Sequence, residues 1–148
     1  MKISTKGRYG LRAMVDLAVY SAGDHISLKS IAERQNISEG YLEQVFSTLR
    51  KAGLINSVKG SQGGYALADE PSDITVGAVL RALEGNLSVI DEKSLEEKTK
   101  DRIEDCIREK VWSTINNSID EVVDNISLEE LVSEYKKMSN KEVLMYYI

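Results

Sequence analysis

A pair of short amphipathic helices joined by a three-residue turn, between residues 27 and 52, most constrains what this 148-residue chain can fold into. Ser27 and Ser38 are suited to cap the two helices, because a serine hydroxyl accepts a hydrogen bond from an exposed backbone N–H group. In the second helix, apolar residues recur at the spacing of one helix face, at Leu42, Val45, Phe46 and Leu49. The pattern is typical of a helix-turn-helix, and a generic helical hairpin within a bundle is the alternative.

The segment after the second helix predicts a β-hairpin. Leu54–Val58 and Tyr65–Leu67 have the residue types of strands, and the loop between them, residues 59–64, contains three glycines and Lys59. A hairpin placed directly after a helix-turn-helix is known as a wing. It favours the DNA-binding alternative, with a cation at the flexible tip.

Apolar spacing predicts two more helices around this module. One runs from Thr5 to about Tyr20, and the other follows a Thr75 cap and stops at Gly85. Residues 86–105 are polar and acidic, and they predict a loop with some helix.

A long helix is predicted from Ile107 onward, followed by a short final helix that opens with a capping box at Ser127 and Glu130. The apolar residues on one side of the long helix, with an adjacent tryptophan, are Ile107, Val111, Trp112, Ile115, Ile119, Val122 and Ile126. Such a stripe must be buried against something. Because the N-terminal module offers limited surface, a symmetric partner helix is the economical solution, and packing within the monomer is the alternative.

These elements predict a mainly α fold with a small β-hairpin wing, in which a winged helix-turn-helix is followed by a long C-terminal dimerisation helix. The length suits one small domain with an oligomerisation arm. The expected divisions are a DNA-binding domain (1–85), a sensor or linker loop region (86–106), and a dimerisation helix with a C-terminal tail (107–148).

The charge of the chain is distributed unevenly, in the sense expected for a protein that contacts double-stranded DNA. The net charge is −5, but residues 1–68 carry nine Lys or Arg against five Asp or Glu. Residues 69–148 carry ten against nineteen. A basic front half and an acidic rear half fit a DNA-contacting domain, and chance is the alternative explanation.

The outer face of the second helix, residues 39–52, is lean and polar, as a recognition helix must be to enter the major groove. Gly40 and Ser47 keep this face thin. The Gln44 amide can pair with adenine, and the Glu43 carboxylate can accept a hydrogen bond from the cytosine amine.

At the wing, Lys59 can enter the minor groove, where negative potential favours a cation, and Gly60 lets the backbone approach closely. For any single residue a solvated surface position is the alternative, so the prediction depends on the set. The DNA-contact candidates, including those expected to bind phosphate, are Thr5, Ser27, Lys29, Ser38, Gly40, Tyr41, Glu43, Gln44, Ser47, Arg50, Lys51, Lys59 and Gly60.

The content of reactive side chains argues against an enzyme and against a metalloprotein. The single cysteine, Cys106, has no partner for an intramolecular disulfide, and with the single histidine, His25, it cannot fill a zinc or iron–sulfur site. We therefore expect no cofactor and no bound metal. Cys106 is a candidate redox sensor, but its acidic neighbours Glu104 and Asp105 disfavour the thiolate, so an inert cysteine is favoured.

The sequence also lacks the features of a membrane or secreted protein. No apolar run approaches the length of a membrane span. The basic segment Met1–Gly7 lacks the apolar core of a signal peptide. We expect a cytoplasmic protein with no membrane partner.

Motifs along nearly the whole chain form a highly specific combination. They are Met1–Gly10, Ser38 with Tyr41–Gln44, Leu49–Leu54, Lys59–Tyr65, Thr75-Val76 and Leu83–Gly85. With these motifs the chain resembles the winged-helix family of the iron–sulfur regulator IscR, the nitric-oxide sensor NsrR and the cysteine-metabolism regulator CymR. The resemblance implies a homodimer held by the long helix, a roughly palindromic operator, and DNA-contact roles for Tyr41, Gln44 and Lys59.

The chain departs from the cluster-binding relatives in its cysteines. Those relatives carry three before the long helix, and only the last is matched here, by Cys106. Evenly spaced upstream ligands would fall on Lys100 and Ser94, which are not cluster ligands. In this respect the chain resembles CymR-type members, which lack the cluster. Many relatives also carry arginine at the wing tip, where Lys59 keeps the charge without the planar fork.

The C-terminal segment Met145–Ile148 also resembles the CymR-type tail. In that subgroup the regulator associates with cysteine synthase, whose active site accepts the C-terminal isoleucine of its natural partner. The resemblance therefore makes Tyr146, Tyr147 and Ile148 candidates for binding cysteine synthase. It implies a repressor of cysteine, sulfur or iron–sulfur metabolism.

Overall fold

Residues 1–85 form helices and a hairpin close to the predicted positions. In the computed structural model, which describes residues 1–96 and 101–146, the elements are α1 (Thr5–Tyr20), α2 (Leu28–Gln35), α3 (Glu39–Lys51), β1 (Ile55–Val58), β2 (Gly64–Leu67), a 3-10 turn (Pro71–Asp73) and α4 (Val76–Glu84). The four helices each begin after a serine or threonine whose hydroxyl accepts a hydrogen bond from a backbone N–H of the first turn, at Ser4, Ser27, Ser38 and Thr75. The caps satisfy donors that the helix leaves unpaired, so the sequence fixes where each helix begins.

The core of this part is built around α3. Its four apolar residues, spaced as one helix face, are no more than 1% exposed; they are Leu42, Val45, Phe46 and Leu49. They belong to one cluster with Met14 and Leu17 of α1, Ile31 of α2 and Ile55 of β1. The opposite face of α3 is therefore turned away from the protein.

The hairpin is attached to the start of α2. β1 and β2 are antiparallel, with Ile55 opposite Leu67, and Ile26 exchanges two backbone hydrogen bonds with Tyr65 at 2.9 and 2.8 Å. A side chain at Gly64 would collide with the Ile26 carbonyl, so this close approach requires glycine. The hairpin is thus fixed at its base to the segment that begins the helix-turn-helix.

The second half of the chain is also helical, and its helices are longer than the sequence predicted. They are α5 (Glu92–Glu96), α6 (Arg102–Ile107), a π-helical turn (Arg108–Trp112), α7 (Ser113–Asp124) and α8 (Leu128–Tyr146). The long helix begins at Arg102 rather than Ile107, because the Asp101 carboxylate accepts a hydrogen bond from the Ile103 N–H and caps it. Within the described part of the chain, no helix is both long and apolar enough to cross a membrane.

The last helix opens with the predicted capping box. The Glu130 N–H donates to the Ser127 hydroxyl at 3.2 Å, and the Ser127 N–H donates to the Glu130 carboxylate at 3.0 Å. The helix that follows has 19 residues, so the expectation of a short final helix was wrong.

The apolar residues assigned to one side of the long helix are divided between two environments. Ile119 and Ile126 pack with Val123, which the sequence interpretation omitted, against a cluster that includes Leu80 of α4. Four others lie between 39% and 59% exposed: Ile107, Val111, Ile115 and Val122. Trp112 is half-buried. The division has a geometric cause, since residues four apart in an α-helix are displaced by about 40° around its axis and cannot stay on one line.

The C-terminal segment is held on the N-terminal part by backbone and charged contacts. The Val76 N–H donates to the Ile126 carbonyl at 2.8 Å, and the Leu128 N–H donates to the Ile74 carbonyl at 2.9 Å. Leu128 itself is fully buried and belongs to the same cluster as the apolar face of α3.

Arg81 of α4 adds an ionic contact to α7. Its guanidinium donates to Asp120 at 2.7 Å and to Asp124 at 2.6 and 3.1 Å. This contact holds the pKa of the Asp124 carboxyl below its usual range. Two acidic residues of the rear half are thereby paired within the chain.

The Leu128→Ala substitution is expected to lower the free energy of unfolding by about 3 kcal/mol, since it leaves a cavity in a close-packed core. The matched control is Leu144→Ala, which removes the same atoms from a side chain that is 62% exposed on the same helix. Urea unfolding at one protein concentration measures both. Equal, small effects would contradict the placement of Leu128 in the core.

Candidate nucleic-acid interface

The polar face of α3 is presented to solvent over its whole length. Gly40, Glu43, Gln44, Arg50 and Lys51 are exposed. Tyr41 and Ser47 are half-buried, because they flank the buried stripe. The remaining DNA-contact candidates, Thr5, Ser27, Lys29, Ser38, Lys59 and Gly60, are exposed as well. Their contacts with DNA stay predictions.

Tyr41 is held in place by an aromatic contact that the sequence did not reveal. Its ring lies edge-on to Tyr9 of α1, with centroids 6.2 Å apart and planes at 87°. Edge-to-face pairs of this kind are favourable beyond the area they bury. The first turn of α3 is therefore positioned by α1 as well as by the core.

The two capping serines keep a donor for phosphate. Ser27 accepts from the Ser30 N–H and Ser38 accepts from the Tyr41 N–H, each at 3.2 Å. These bonds use a lone pair of the hydroxyl, and its proton is still able to donate to a phosphate oxygen. Each serine also lies at the positive end of the dipole of its own helix, which favours an anion there.

The wing carries its cation on a turn shaped by glycine. Lys59 is exposed, Gly60 has a φ of 122° that side chains disfavour, and the Gly63 N–H donates to the Gly60 carbonyl at 3.0 Å. His25 supports this turn: its Nε2 contacts the Gln62 carbonyl. This contact of His25 could not be predicted from the sequence, because it joins residues 37 apart and leaves no local pattern.

The other imidazole nitrogen of His25, Nδ1, lies 2.9 Å from the Asp24 carboxylate. Both ring nitrogens thus face oxygen acceptors, one on the loop after α1 and one on the wing. The wing tip is tied to the body of the domain through this side chain, in addition to the backbone bonds at its base.

A cleft of about 320 Å³ separates α3 from the wing. Glu39 and Glu43 line it from the helix, and Ser57, Val58 and Gly64 line it from the hairpin. Carboxylates repel phosphate, so Glu43 is suited to accept from a base amine and unsuited to hold the DNA backbone. The cleft opens on the surface that α3 and the wing share, where a DNA duplex is predicted to bind.

Taken together, a short capped helix, a core-anchored helix with a lean polar outer face, and a hairpin with a cationic tip define a winged helix-turn-helix DNA-binding protein. Comparison with known proteins then gives the family. The family model described as "Rrf2: Iron-dependent Transcriptional regulator" matches residues 3–134, and the chain belongs to this family. It is a DNA-binding transcriptional regulator and not an enzyme.

Individual relatives agree with this assignment. The chain is 44% identical to the transcriptional regulator CymR of Bacillus subtilis over 148 residues, which is 100% of both chains. It is 39% identical to IscR of Pectobacterium atrosepticum over 145 residues, covering 97% of this chain and 83% of that one.

Solved structures of two similar proteins share the fold. B. subtilis CymR superposes with a TM-score of 0.77 at 44% identity, covering 90% of this chain and 98% of that one. IscR of T. potens superposes with a TM-score of 0.75 at 46% identity, covering 93% and 90%. These matches confirm the predicted fold class and the resemblance seen in the sequence.

The residues of this chain do not fit an iron–sulfur cluster of the kind held by several thiolates. Such clusters take three or four cysteine ligands, and the sequence has one. Cys106 is exposed on α6, the Ser94 hydroxyl donates to Asp91 at 2.5 Å, and Lys100 lies outside the described residues. Among the residues that the structure describes, no three His, Cys, Asp or Glu side chains gather as a metal site.

The Lys59→Ala substitution is expected to weaken binding to operator and to unrelated duplexes alike, by about tenfold, which is about 1.4 kcal/mol. It should also lower the slope of log affinity against log salt by about 0.9, because one fewer counterion is released. Lys137→Ala, an equal loss of charge at an exposed position of α8, is the control. A mobility-shift titration at several salt concentrations measures both, and identical behaviour of the two variants would refute the role of the wing.

Proposed function

We propose that the chain is a repressor that binds a roughly palindromic operator as a homodimer. The observation that supports the dimer is the row of exposed apolar residues on the long helix. Ile103 is 73% exposed, and Ile107, Val111 and Ile115 follow it at four-residue steps. A series of exposed apolar side chains of this kind is unfavourable in water and supports an interaction surface here.

A second copy of the same helix is the occupant that explains the row best. In a two-fold dimer the same surface of each copy meets that of the other, so an apolar row packs against an apolar row. A two-fold axis also places two α3 helices to face one side of a duplex, where half-sites lie one helical turn of about 34 Å apart. A dimer bound there would block access of the transcription machinery to a promoter.

The Ile107→Asp substitution tests this proposal. Burying an unpaired carboxylate at the two-fold contact should weaken dimerisation by at least about 100-fold. Sedimentation should then show a folded monomer, and affinity should fall for duplexes selected by the wild-type protein from a random pool. Val143→Asp, the same kind of change at an exposed site of α8, should leave the mass unchanged. A dimer that persists in Ile107→Asp would contradict the proposed interface.

The regulated metabolism is proposed to be that of cysteine and sulfur. CymR of B. subtilis, to which the chain is similar over its full length, is described as a global cysteine regulator. The single cysteine of this chain cannot supply the thiolates of an iron–sulfur cluster, and in this the chain resembles the CymR-type members, which lack the cluster. A regulator of this kind would act without a bound cofactor.

Cysteine synthase is proposed as a protein partner. The end of α8 supports this, because Val143, Leu144, Met145 and Tyr146 are between 55% and 91% exposed and so are available to a partner. Tyr147 and Ile148 lie outside the described residues. The terminal isoleucine is the group that the active site of the synthase is expected to accept.

Removing residues 145–148 should abolish capture of purified cysteine synthase while DNA binding remains. Calorimetry with the full chain and the truncated chain measures the first, and a mobility shift measures the second. Adding free Ile-terminated peptide should compete with the full chain. Unchanged binding of the synthase by the truncated chain would overturn the partner proposal and leave the DNA-binding function intact.

A further inference from the structure

A buried carboxylate on α1 fixes the end of α2. The side chain of Asp16 is fully buried. It accepts from the Arg34 guanidinium at 3.0 and 2.7 Å and from the Gln35 amide at 2.8 Å. Buried charged groups of this kind are held tightly, because breaking one of the bonds leaves a charge unpaired. Arg34 and Gln35 are the last two residues of α2, directly before the turn that leads into α3.

The other side of the turn is held from the same helix. Arg12 of α1 donates to the Gln35 carbonyl at 2.7 Å, and its guanidinium lies 5.2 Å from the centre of the Tyr9 ring. Tyr9 in turn meets Tyr41 in the first turn of α3. Between these contacts the chain reverses through Asn36, which has a left-handed backbone. Residues of α1 therefore contact both the end of α2 and the start of α3, on either side of the turn.

The same network reaches α8. The Arg34 guanidinium lies over the Tyr20 ring, 4.1 Å from its centre, and the Tyr20 hydroxyl is 3.2 Å from the Tyr135 hydroxyl of α8. This hydroxyl contact raises the pKa of Tyr20 and lowers that of Tyr135. The contact between the two hydroxyls joins residues 115 apart, and no motif of the sequence predicts it.

The tyrosine pair lies at a groove between the two helices. The groove has a volume of about 490 Å³, and apolar side chains such as Val15, Leu131 and Met138 line it. The groove separates the two helices at this point, so side chains of α1 and α8 do not close-pack across it. The hydroxyl contact therefore bears more of the positioning of α8 than it would between close-packed helices.

We propose that Tyr20 and Tyr135 are positioning residues for DNA recognition, which set the placement of α3 from the C-terminal helix through Arg34 and Asp16. A displacement of α8 loosens Arg34, and Arg34 holds the end of α2 that leads into α3. Base contacts require exact placement of α3, whereas phosphate contacts tolerate small shifts. The contacts from Tyr135 through Tyr20 and Arg34 should therefore affect the affinity for the operator far more than the affinity for unrelated DNA.

The test removes one hydroxyl at a time. Tyr135→Phe and Tyr20→Phe should each lower affinity for the selected operator by roughly threefold to tenfold, and the double variant should lose no more than either single variant. Affinity for an unrelated duplex of equal length should stay unchanged. Ser133→Ala removes a hydroxyl from an exposed side chain of the same helix, and it should match the wild type.

A second readout separates positioning from simple stabilisation. Amide hydrogen exchange at Ile37 and Leu42, whose N–H groups bond to the Ala32 and Ser38 carbonyls, should be faster in Tyr135→Phe at an unchanged melting temperature. A merely structural role would lower the melting temperature and reduce both kinds of DNA binding in proportion. Additive effects of the single variants, an equal loss on both duplexes, or no loss at all would each overturn the proposal.

Discussion

The burial of one face of α3 is the interaction on which the rest of the structure depends. Four side chains that each gain about 1.5–3 kcal/mol on leaving water commit the helix to one rotation about its axis. The opposite face, which includes Gln44 and Lys51, is therefore exposed to solvent. Core packing thus decides which residues of α3 remain available for the predicted contacts with DNA.

The C-terminal half is attached to the N-terminal part through α7, the start of α8 and the segment between them. Ile119 and Ile126 fasten it to α4, and Leu128 carries the chain back into the main core. The row that begins at Ile103 stays exposed, and it is the surface proposed for the dimer contact. The acidic character of this half matters as well, because DNA is repelled from it and attracted to the basic N-terminal half. Within the acidic half, Arg81 pairs with two of the carboxylates and so offsets part of the repulsion between like charges.

The sequence predicted those features that depend on neighbouring residues. Helix starts at Ser27, Ser38 and Thr75 and the apolar face of α3 follow from caps and periodicity, which are local. The rotation of α3 could be predicted for the same reason, and with it most of the candidate interface. The start of the long helix was misplaced because the cap at Asp101 lies in a polar stretch with little periodicity.

Contacts between distant residues were not predictable in this way. The support of the wing by His25 and the ring of Tyr9 against Tyr41 involve side chains that look like ordinary surface residues in the sequence. Asp16 is an example. Burial of a single carboxylate among apolar residues is unfavourable, and it becomes tolerable here because Arg34, from another helix, donates hydrogen bonds to it. Such pairs are selected by the tertiary fold, and no local propensity encodes them.

Amide hydrogen exchange of the full-length protein, free and saturated with operator duplex, tests the central claim most directly. If the outer face of α3 and the wing contact DNA, exchange should slow over residues 38–51 and 59–64 and stay unchanged along α7. Protection confined to the C-terminal helices, with α3 exchanging at the same rate in both states, would contradict the account.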